Sequence, residues 1–135
     1  DVVIIDSTEP IGAAIGLFSP EFYRDVAKAL RDDGIMVAQT ESPFFNQDLI
    51  RQSYAGIRDA FPVARLYLAS VPTYPSGLWS FTLGSKRYDP LAVDPASIPP
   101  LDTRYYTPQV HHAAFQLPRF VEELVRPAAA VEGGM

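Results

Sequence analysis

Two acids, Asp6 and Glu9, follow the uninterrupted apolar run Val2-Val3-Ile4-Ile5 and lie in a segment that also carries Pro10, Gly12 and Gly16. A run dominated by β-branched residues predicts a strand buried on both faces, as in a parallel sheet. Acids at the carboxyl end of such a strand stand where open α/β sheets bind their ligands. Taken alone, Asp6 fits a helix cap or turn former equally well. Two further polar clusters follow predicted strands, Gln39 to Glu41 and Thr73 to Ser76. Brought together, the three clusters would make an anionic cleft with aromatic walls from Tyr74, Phe18 and Trp79. Such a cleft suits a ligand bearing ammonium groups.

The order of elements predicts that convergence. Ser19-Pro20-Glu21 is a helix start, with a capping hydroxyl, proline at the first helical position and an acid near the positive helix end. Phe22, Val26, Ala29 and Leu30 form its apolar face, and Gly34 supplies the stop. Residues 35–38 form a second short strand ending at Gln39. Strand, helix, strand is a βαβ crossover, right-handed in nearly all cases, and it puts the carboxyl ends of both strands at one sheet edge. Asn46 caps a second helix whose inward residues are Ile50, Tyr54, Ile57 and Phe61, ended by Pro62. Residues 63–71 and 78–85 read as strands joined by the turn-rich link 72–77, too short for a parallel return, so the two are antiparallel. Tyr74 in that link can reach the same edge as the acids. The predicted order is β-α-β-α-β-β, closing on a hairpin at one sheet edge. Residues 88–103 hold four prolines and read as a surface loop. Thr107-Pro108 begins a helix to about Gln116, and Pro118 begins another with Phe120, Val121, Leu124 and Val125 inward. The Ala- and Gly-rich residues 127–135 read as a flexible tail.

Composition narrows the functional classes. At 135 residues, 47% hydrophobic and 20% charged, the chain has the size and balance of one globular domain. A net charge of −5, with no Lys/Arg cluster, argues against a nucleic-acid partner. The absence of cysteine excludes disulfides and thiolate chemistry and permits a reducing compartment. His111 and His112 are adjacent, so on a helix they point in different directions, unlike the i, i+4 pair of a helical metal site; no metal is expected. No apolar run approaches bilayer length, so no membrane partner is expected either. The chain opens on a strand that needs neighbours on both sides, and it reads as a fragment. Trp79 reads as core, Glu41 as either a site wall or a cap, and the two histidines as helix-surface residues.

The blocks Asp6-Ser-Thr-Glu-Pro10, Gly16-Leu-Phe18, Gly34-Ile-Met-Val-Ala-Gln-Thr-Glu-Ser42 and Pro72-Thr-Tyr-Pro-Ser-Gly-Leu-Trp-Ser-Phe-Thr-Leu-Gly-Ser85 occur in that order. Together with Tyr105-Tyr106 and Ala113-Ala-Phe-Gln-Leu-Pro-Arg-Phe120, they resemble the spermidine synthases, the polyamine aminopropyltransferases. The resemblance implies an α/β fold, the C-terminal half of a methyltransferase-like Rossmann domain, over residues 1–126. It implies transfer of an aminopropyl group from decarboxylated S-adenosylmethionine to putrescine, giving spermidine and methylthioadenosine, in a cytoplasmic enzyme without prosthetic group or metal. By that likeness Asp6 is the catalytic acid, Glu9, Gln39 and Tyr74 bind the diamine, and Pro10 and Leu17 border the nucleoside. Glu9 departs from the aspartate of many members. The family's glycine-rich turn, its ribose-binding acid and its N-terminal β-domain have no match, so the isolated chain is expected to be inactive. Family members form dimers or tetramers, and a homodimer or homotetramer is the expectation for the full-length protein. Two other readings are a methyltransferase of the same fold and a non-catalytic polyamine-binding module.

Overall fold

A computed structural model describes residues 1–127, so most of the Ala- and Gly-rich tail expected from 127 onward lies outside the described residues. Four strands form one sheet: β1 (Val2–Ile5), β2 (Ile35–Gln39), β3 (Val63–Ser70) and β4 (Leu78–Ser85), in the order β1-β2-β4-β3. β1 and β2 are parallel, while β4 runs antiparallel to both β2 and β3. The hairpin therefore lies at one edge as expected, with its second strand inserted beside β2. β3 in turn runs parallel to β1 and β2, so the link after it opens at the same sheet edge as the loops after β1 and β2.

Helices cover the two faces unequally. α1 (Pro20–Ala29) and α2 (Gln47–Ala60) pack Tyr23, Val26, Leu30, Ile57 and Phe61 against Met36 of β2, with Val3 and Ile5 of β1 at the margin. α4 (Arg119–Val125) adds Val121 and Leu124 to Ile50 and Leu66 on the same side. Each such fully buried side chain contributes about 1.5–3 kcal/mol of transfer free energy. Gly84 of β4 lets this layer close: a Cβ there would come within 2.6 Å of the Phe61 ring and 2.9 Å of Ile57. The opposite face carries Val2, Ile4, Val37, Gln39, Phe81 and Tyr67, which the strand registers place side by side. Only its β3 end is covered, by α3 (Pro108–Ala114) and the turn after it, where the Phe115 ring lies 5.4 Å from Tyr67.

This one-sided cover corrects the expectation that β1 is buried on both faces. Val2 and Ile4 are 61% and 74% exposed, because β1 is an edge strand whose second face has no packed layer among the described residues. The local elements otherwise follow their sequence signals with shifts in detail. Ser19 Oγ accepts the Phe22 N–H at 3.2 Å, capping α1 as expected. The inward face of α1 is set by Tyr23 and Val26 rather than by Phe22, which is half-buried. Asn46 sits at the start of α2 without capping it: its Oδ1 accepts from Ser42 N. The proline-rich loop holds two single-turn 3-10 helices, Pro90–Ala92 and Pro95–Ser97, each capped by the preceding aspartate, Asp89 or Asp94. His111 and His112 are not surface bystanders as expected. His111 Nε2 donates to Pro90 O at 2.8 Å and His112 Nε2 to Val93 O at 2.7 Å, tying that loop to α3. A carbonyl can only accept, which leaves His111 Nδ1 to accept the Tyr106 hydroxyl at 2.8 Å in the neutral ring.

Arg65 anchors the same loop to β3 by a two-pronged contact with Asp89, Nη2 to Oδ2 at 2.7 Å and Nε to Oδ1 at 3.2 Å. The guanidinium holds the Asp89 carboxyl below the usual carboxylate range. A depressed folded-state value stabilises above the ordinary carboxylate pKa and loses that stabilisation as pH falls through the folded value. Asp89→Asn keeps an oxygen for Leu91 N and Arg65 Nε but sets an NH₂ against the Arg65 Nη2 donor, so it removes the charge together with one prong of the contact. It should cost about 1 kcal/mol near neutral pH, allowing for the partial exposure of both groups. The difference should shrink toward zero below the carboxylate range. Urea unfolding of both proteins at neutral and acidic pH measures it, and a pH-independent difference would reject the charge as its source.

Candidate functional site

The loops after β1 and β2 and the link after β3 enclose one cavity of about 730 Å³ on the open face of the sheet. Asp6, Glu9, Gln39 and Tyr74, each expected at the site, all line it, together with Ser7, Thr8 and Glu41. Pro10 and Leu17 do not. Pro10 lies in the loop after Glu9, and Leu17 lies in the 3-10 helix Gly12–Phe18, as does Phe18, which forms no wall of the cavity. The aromatic walls are Tyr74, Trp79, Tyr67 and Phe81, with Val2, Ile4, Val37, Val71 and Pro75 completing the apolar lining. Trp79 is thus both nearly buried, as a core residue is, and a wall of the cavity. Tyr67 and Phe81, which pattern reading had absorbed into ordinary strands, stack at 5.2 Å with ring planes 16° apart. The signal available for them was period two: both occupy the strand positions that share a face with Gln39.

The polar framework is organised by the Gln39 side chain, which is 8% exposed. Its Nε2 donates to Ser7 O at 3.0 Å and to Glu41 Oε1 at 3.1 Å. Its Oε1 accepts from Trp79 Nε1 at 3.0 Å and from Glu41 N at 3.2 Å. Turning the amide over would set NH₂ against two N–H donors and oxygen against two acceptors, so the network fixes its orientation. Glu41 is 3% exposed and has φ 72°, in the left-handed region where a non-glycine residue is strained. Its carbonyl accepts from both Ser80 N and Ser80 Oγ at 2.9 Å. Behind it, Thr40 Oγ1 bonds Ser80 Oγ at 2.8 Å and Thr82 Oγ1 at 3.0 Å, a buried hydroxyl ladder joining β2 to β4. Ser7 Oγ is buried with no hydrogen-bond partner, an unusual state for a polar atom at a cavity wall.

The link that carries Tyr74 is a pair of tight turns. Val71 N donates to Gly77 O at 2.8 Å, and Gly77 N to Tyr74 O at 3.0 Å. Ser76 and Gly77 both have positive φ, and Ser76 Oγ meets Ser42 Oγ at 3.1 Å, pinning the link to the segment after β2. The Tyr74 ring lies 4.6 Å from that of Trp79. Burial pushes the Tyr67 phenol up, which keeps it neutral in the physiological range.

The charged residues on the lining are all acids: Asp6, Glu9 and Glu41. Such a surface repels phosphates and carboxylates and attracts cations, while its aromatic and alkyl walls suit a hydrocarbon chain. Among the described residues no group of three or more His, Asp or Glu side chains is placed to hold a metal ion. No helix of the described chain is long and apolar enough to cross a membrane.

Comparison with known proteins agrees with this chemistry. A polyamine aminopropyltransferase of Moorella thermoacetica is 62% identical over 125 residues, covering 93% of this chain and 44% of that protein. The polyamine aminopropyltransferase of Bacillus subtilis is 52% identical over 126 residues, covering 93% of this chain and 46% of its own length. A spermidine synthase solved in complex with the transition-state analogue AdoDATO superposes with TM-score 0.87 at 42% identity, over 93% of this chain and 44% of that one. The spermidine synthase of Thermotoga maritima gives TM-score 0.83 at 41% identity, over 93% and 43%. The methyltransferase-like α/β architecture is shared with these neighbours. The chain thus spans less than half the length of the curated relatives it matches. The family model of the spermine/spermidine synthase domain matches residues 1–94, which hold β1 to β4 and every residue lining the cavity, and the chain belongs to that family.

Proposed function

We propose that these residues form the acceptor half of an aminopropyltransferase site, acting in the transfer of an aminopropyl group from decarboxylated S-adenosylmethionine to putrescine. The observation that carries this reading is the cavity lining: three carboxylates and no cationic side chain, on alkyl and aromatic walls. An alkyl chain with an ammonium group at each end matches both parts of that surface. Methyl transfer to a neutral acceptor would have no use for the three acids.

The chemistry assigns the roles. An alkylammonium has no lone pair, so it must lose a proton before it can attack. Asp6 takes that proton. The freed nitrogen attacks the aminopropyl carbon bonded to the sulfonium. The C–N bond forms as the C–S bond breaks, and the bonding pair passes to sulfur, leaving neutral methylthioadenosine. The leaving group begins as a cation, so in-line positioning and charge placement carry the rate, with no acid needed to help it depart. Glu9 and Tyr74 hold the diamine, Gln39 serves the same subsite by holding its walls, and Pro10 and Leu17 border the nucleoside. The domain reading is a C-terminal part of the catalytic domain over residues 1–126, in a cytoplasmic protein that is a homodimer or homotetramer at full length.

In a complete aminopropyltransferase carrying these residues, Asp6→Asn should lower kcat by about 10²–10⁴-fold, the usual range for a general base, while leaving methylthioadenosine affinity within twofold or so. Equal losses in both would remove Asp6 from the proton-transfer role. Glu9→Gln should instead raise the KM for the diamine by about 10–100-fold, the loss of one charge-assisted hydrogen bond. An unchanged KM would count against its anchoring role. The 135 residues assayed alone should form no spermidine, since they carry no glycine-rich nucleoside-binding turn. Spermidine formation without a complementing chain would overturn that expectation.

A further inference from the structure

We propose that Tyr67 determines which acceptor amines the site takes, because its ring partitions the acid-lined cavity from a second, apolar cavity suited to an alkyl substituent on the acceptor nitrogen. This role presupposes that the acid-lined cavity is a diamine site, as proposed above, and adds a specificity wall and a second compartment to it.

The strand order lays the open face out in sequence. Crossing from β1 to β3, it presents Val2 and Ile4, then Val37 and Gln39, then Phe81, and last Tyr67. Tyr67 is a wall of the cavity of about 730 Å³, and it is also a wall of a cavity of about 300 Å³ at the β3 end of the face. Among the described residues it alone is common to both linings. Its ring stacks on Phe81 at 5.2 Å and lies 5.4 Å from Phe115 in the turn after α3. Phe81 belongs to the first lining and Phe115 to the second, so the Tyr67 ring stands between the two compartments. The compartments differ in chemistry. The first carries Asp6, Glu9 and Glu41, whereas no Lys, Arg, Asp or Glu lines the second. Its further walls include Tyr105, Tyr106, Val110, Ala114 and Phe115. The Tyr106 hydroxyl and both His111 ring nitrogens there are already engaged, with each other at 2.8 Å and with Pro90 O at 2.8 Å. An ammonium group in that space would lose its water with no carboxylate to replace it. An alkyl group would instead gain about fourfold in affinity for each methylene taken out of water. The occupant that fits is therefore an N-alkyl group on the acceptor, its secondary ammonium staying beside the acids. With the Tyr67 ring in place the two spaces stay separate, and a short unsubstituted diamine is the favoured acceptor.

The test measures kcat/KM in a complete aminopropyltransferase carrying these residues, for the native enzyme, Tyr67→Ala and Tyr67→Phe. The acceptors are 1,4-diaminobutane, N-butyl-1,4-diaminobutane and 1,8-diaminooctane. Tyr67→Ala should raise kcat/KM for the N-butyl acceptor relative to 1,4-diaminobutane by about tenfold or more, with the gain in KM. 1,8-Diaminooctane should show no such gain, because its far ammonium would enter the compartment that has no acids. Tyr67→Phe should keep the native ratio, since the ring and not the hydroxyl forms the wall. An unchanged ratio in Tyr67→Ala, or an equal shift in Tyr67→Phe, would overturn the wall while leaving the cavity a diamine site. An equal gain for 1,8-diaminooctane would overturn the apolar character assigned to the second compartment, and the proposal with it. A native enzyme that does not turn over 1,4-diaminobutane would overturn the diamine reading itself. Should Tyr67→Ala fail to fold, Tyr67→Val, whose β-branched side chain suits a strand, decides the matter by the same ratios.

Discussion

The side-chain amide of Gln39 is the constraint on which the cavity depends. One buried group ties together the first acid loop, the bend after β2 and the indole of β4. Those three pieces come from residues far apart in the chain, and without the amide each would present an unpaired polar group to a low-dielectric interior. Such networks are favourable only when complete, because every unpaired member costs the full desolvation penalty. The same completeness gives the site its definition: the Ser7 carbonyl, the Glu41 carboxylate and the Trp79 ring are set by one orientation of one amide. The hydroxyls of Thr40, Ser80 and Thr82 reinforce this from behind, fixing β4 against β2 at the end where the polar groups gather.

The sheet divides its two jobs between its faces. The helix-covered face holds the fully buried Met36 and Ile57 and is closed so tightly that Gly84 has no room for a methyl group. The other face keeps an apolar surface uncovered over β1 and β2, and that surface is the floor of the cavity. Among the described residues the stabilising burial is concentrated on the helix-covered side. The loop bearing Asp89 and the histidines of α3 close the remaining edge of the open face, so the space left over lies next to the acids.

Much of this was legible from residue order. The βαβ unit and the short link after β3 required three polar clusters to meet at one edge, and Asp6, Glu9, Gln39 and Tyr74 do line one cavity there. What pattern reading missed has physical causes. An apolar run such as Val2-Val3-Ile4-Ile5 says that a strand can be buried on both faces, and is silent on whether a layer is present to bury it. A two-strand hairpin satisfies the same link rule whichever of its strands joins the sheet, so the insertion of β4 beside β2 had to come from packing. Aromatic residues at period two look alike whether they face a core or a ligand, which hid Tyr67 and Phe81. The adjacent histidines do not diverge as expected: their rings lie 5.3 Å apart, and both reach carbonyls of the proline-rich loop that runs beside α3.

The arrangement of the three acids answers a difficulty inherent in the proposed reaction. Two ammonium groups on one chain need opposite treatment: one must stay charged to be held, and the other must lose its proton to react. A set of equivalent carboxylates would treat both ends alike. Here the carboxylates are not equivalent. Glu41 is buried, strained and fixed by bonds to its side chain, amide and carbonyl. Asp6 and Glu9 are solvent-exposed on a loop whose tether to the sheet includes the bond from Gln39 to Ser7 O. A buried carboxylate favours keeping its cation charged, because separation would leave an uncompensated acid in a poorly solvated place. In the proposed reaction the exposed Asp6 can accept a proton and return it to water, while Glu9 on the same loop keeps its role of holding the diamine. The difference in burial gives the cavity two unlike ends, and the Gln39 amide bonds to both the Ser7 carbonyl on the acid loop and the Glu41 carboxylate.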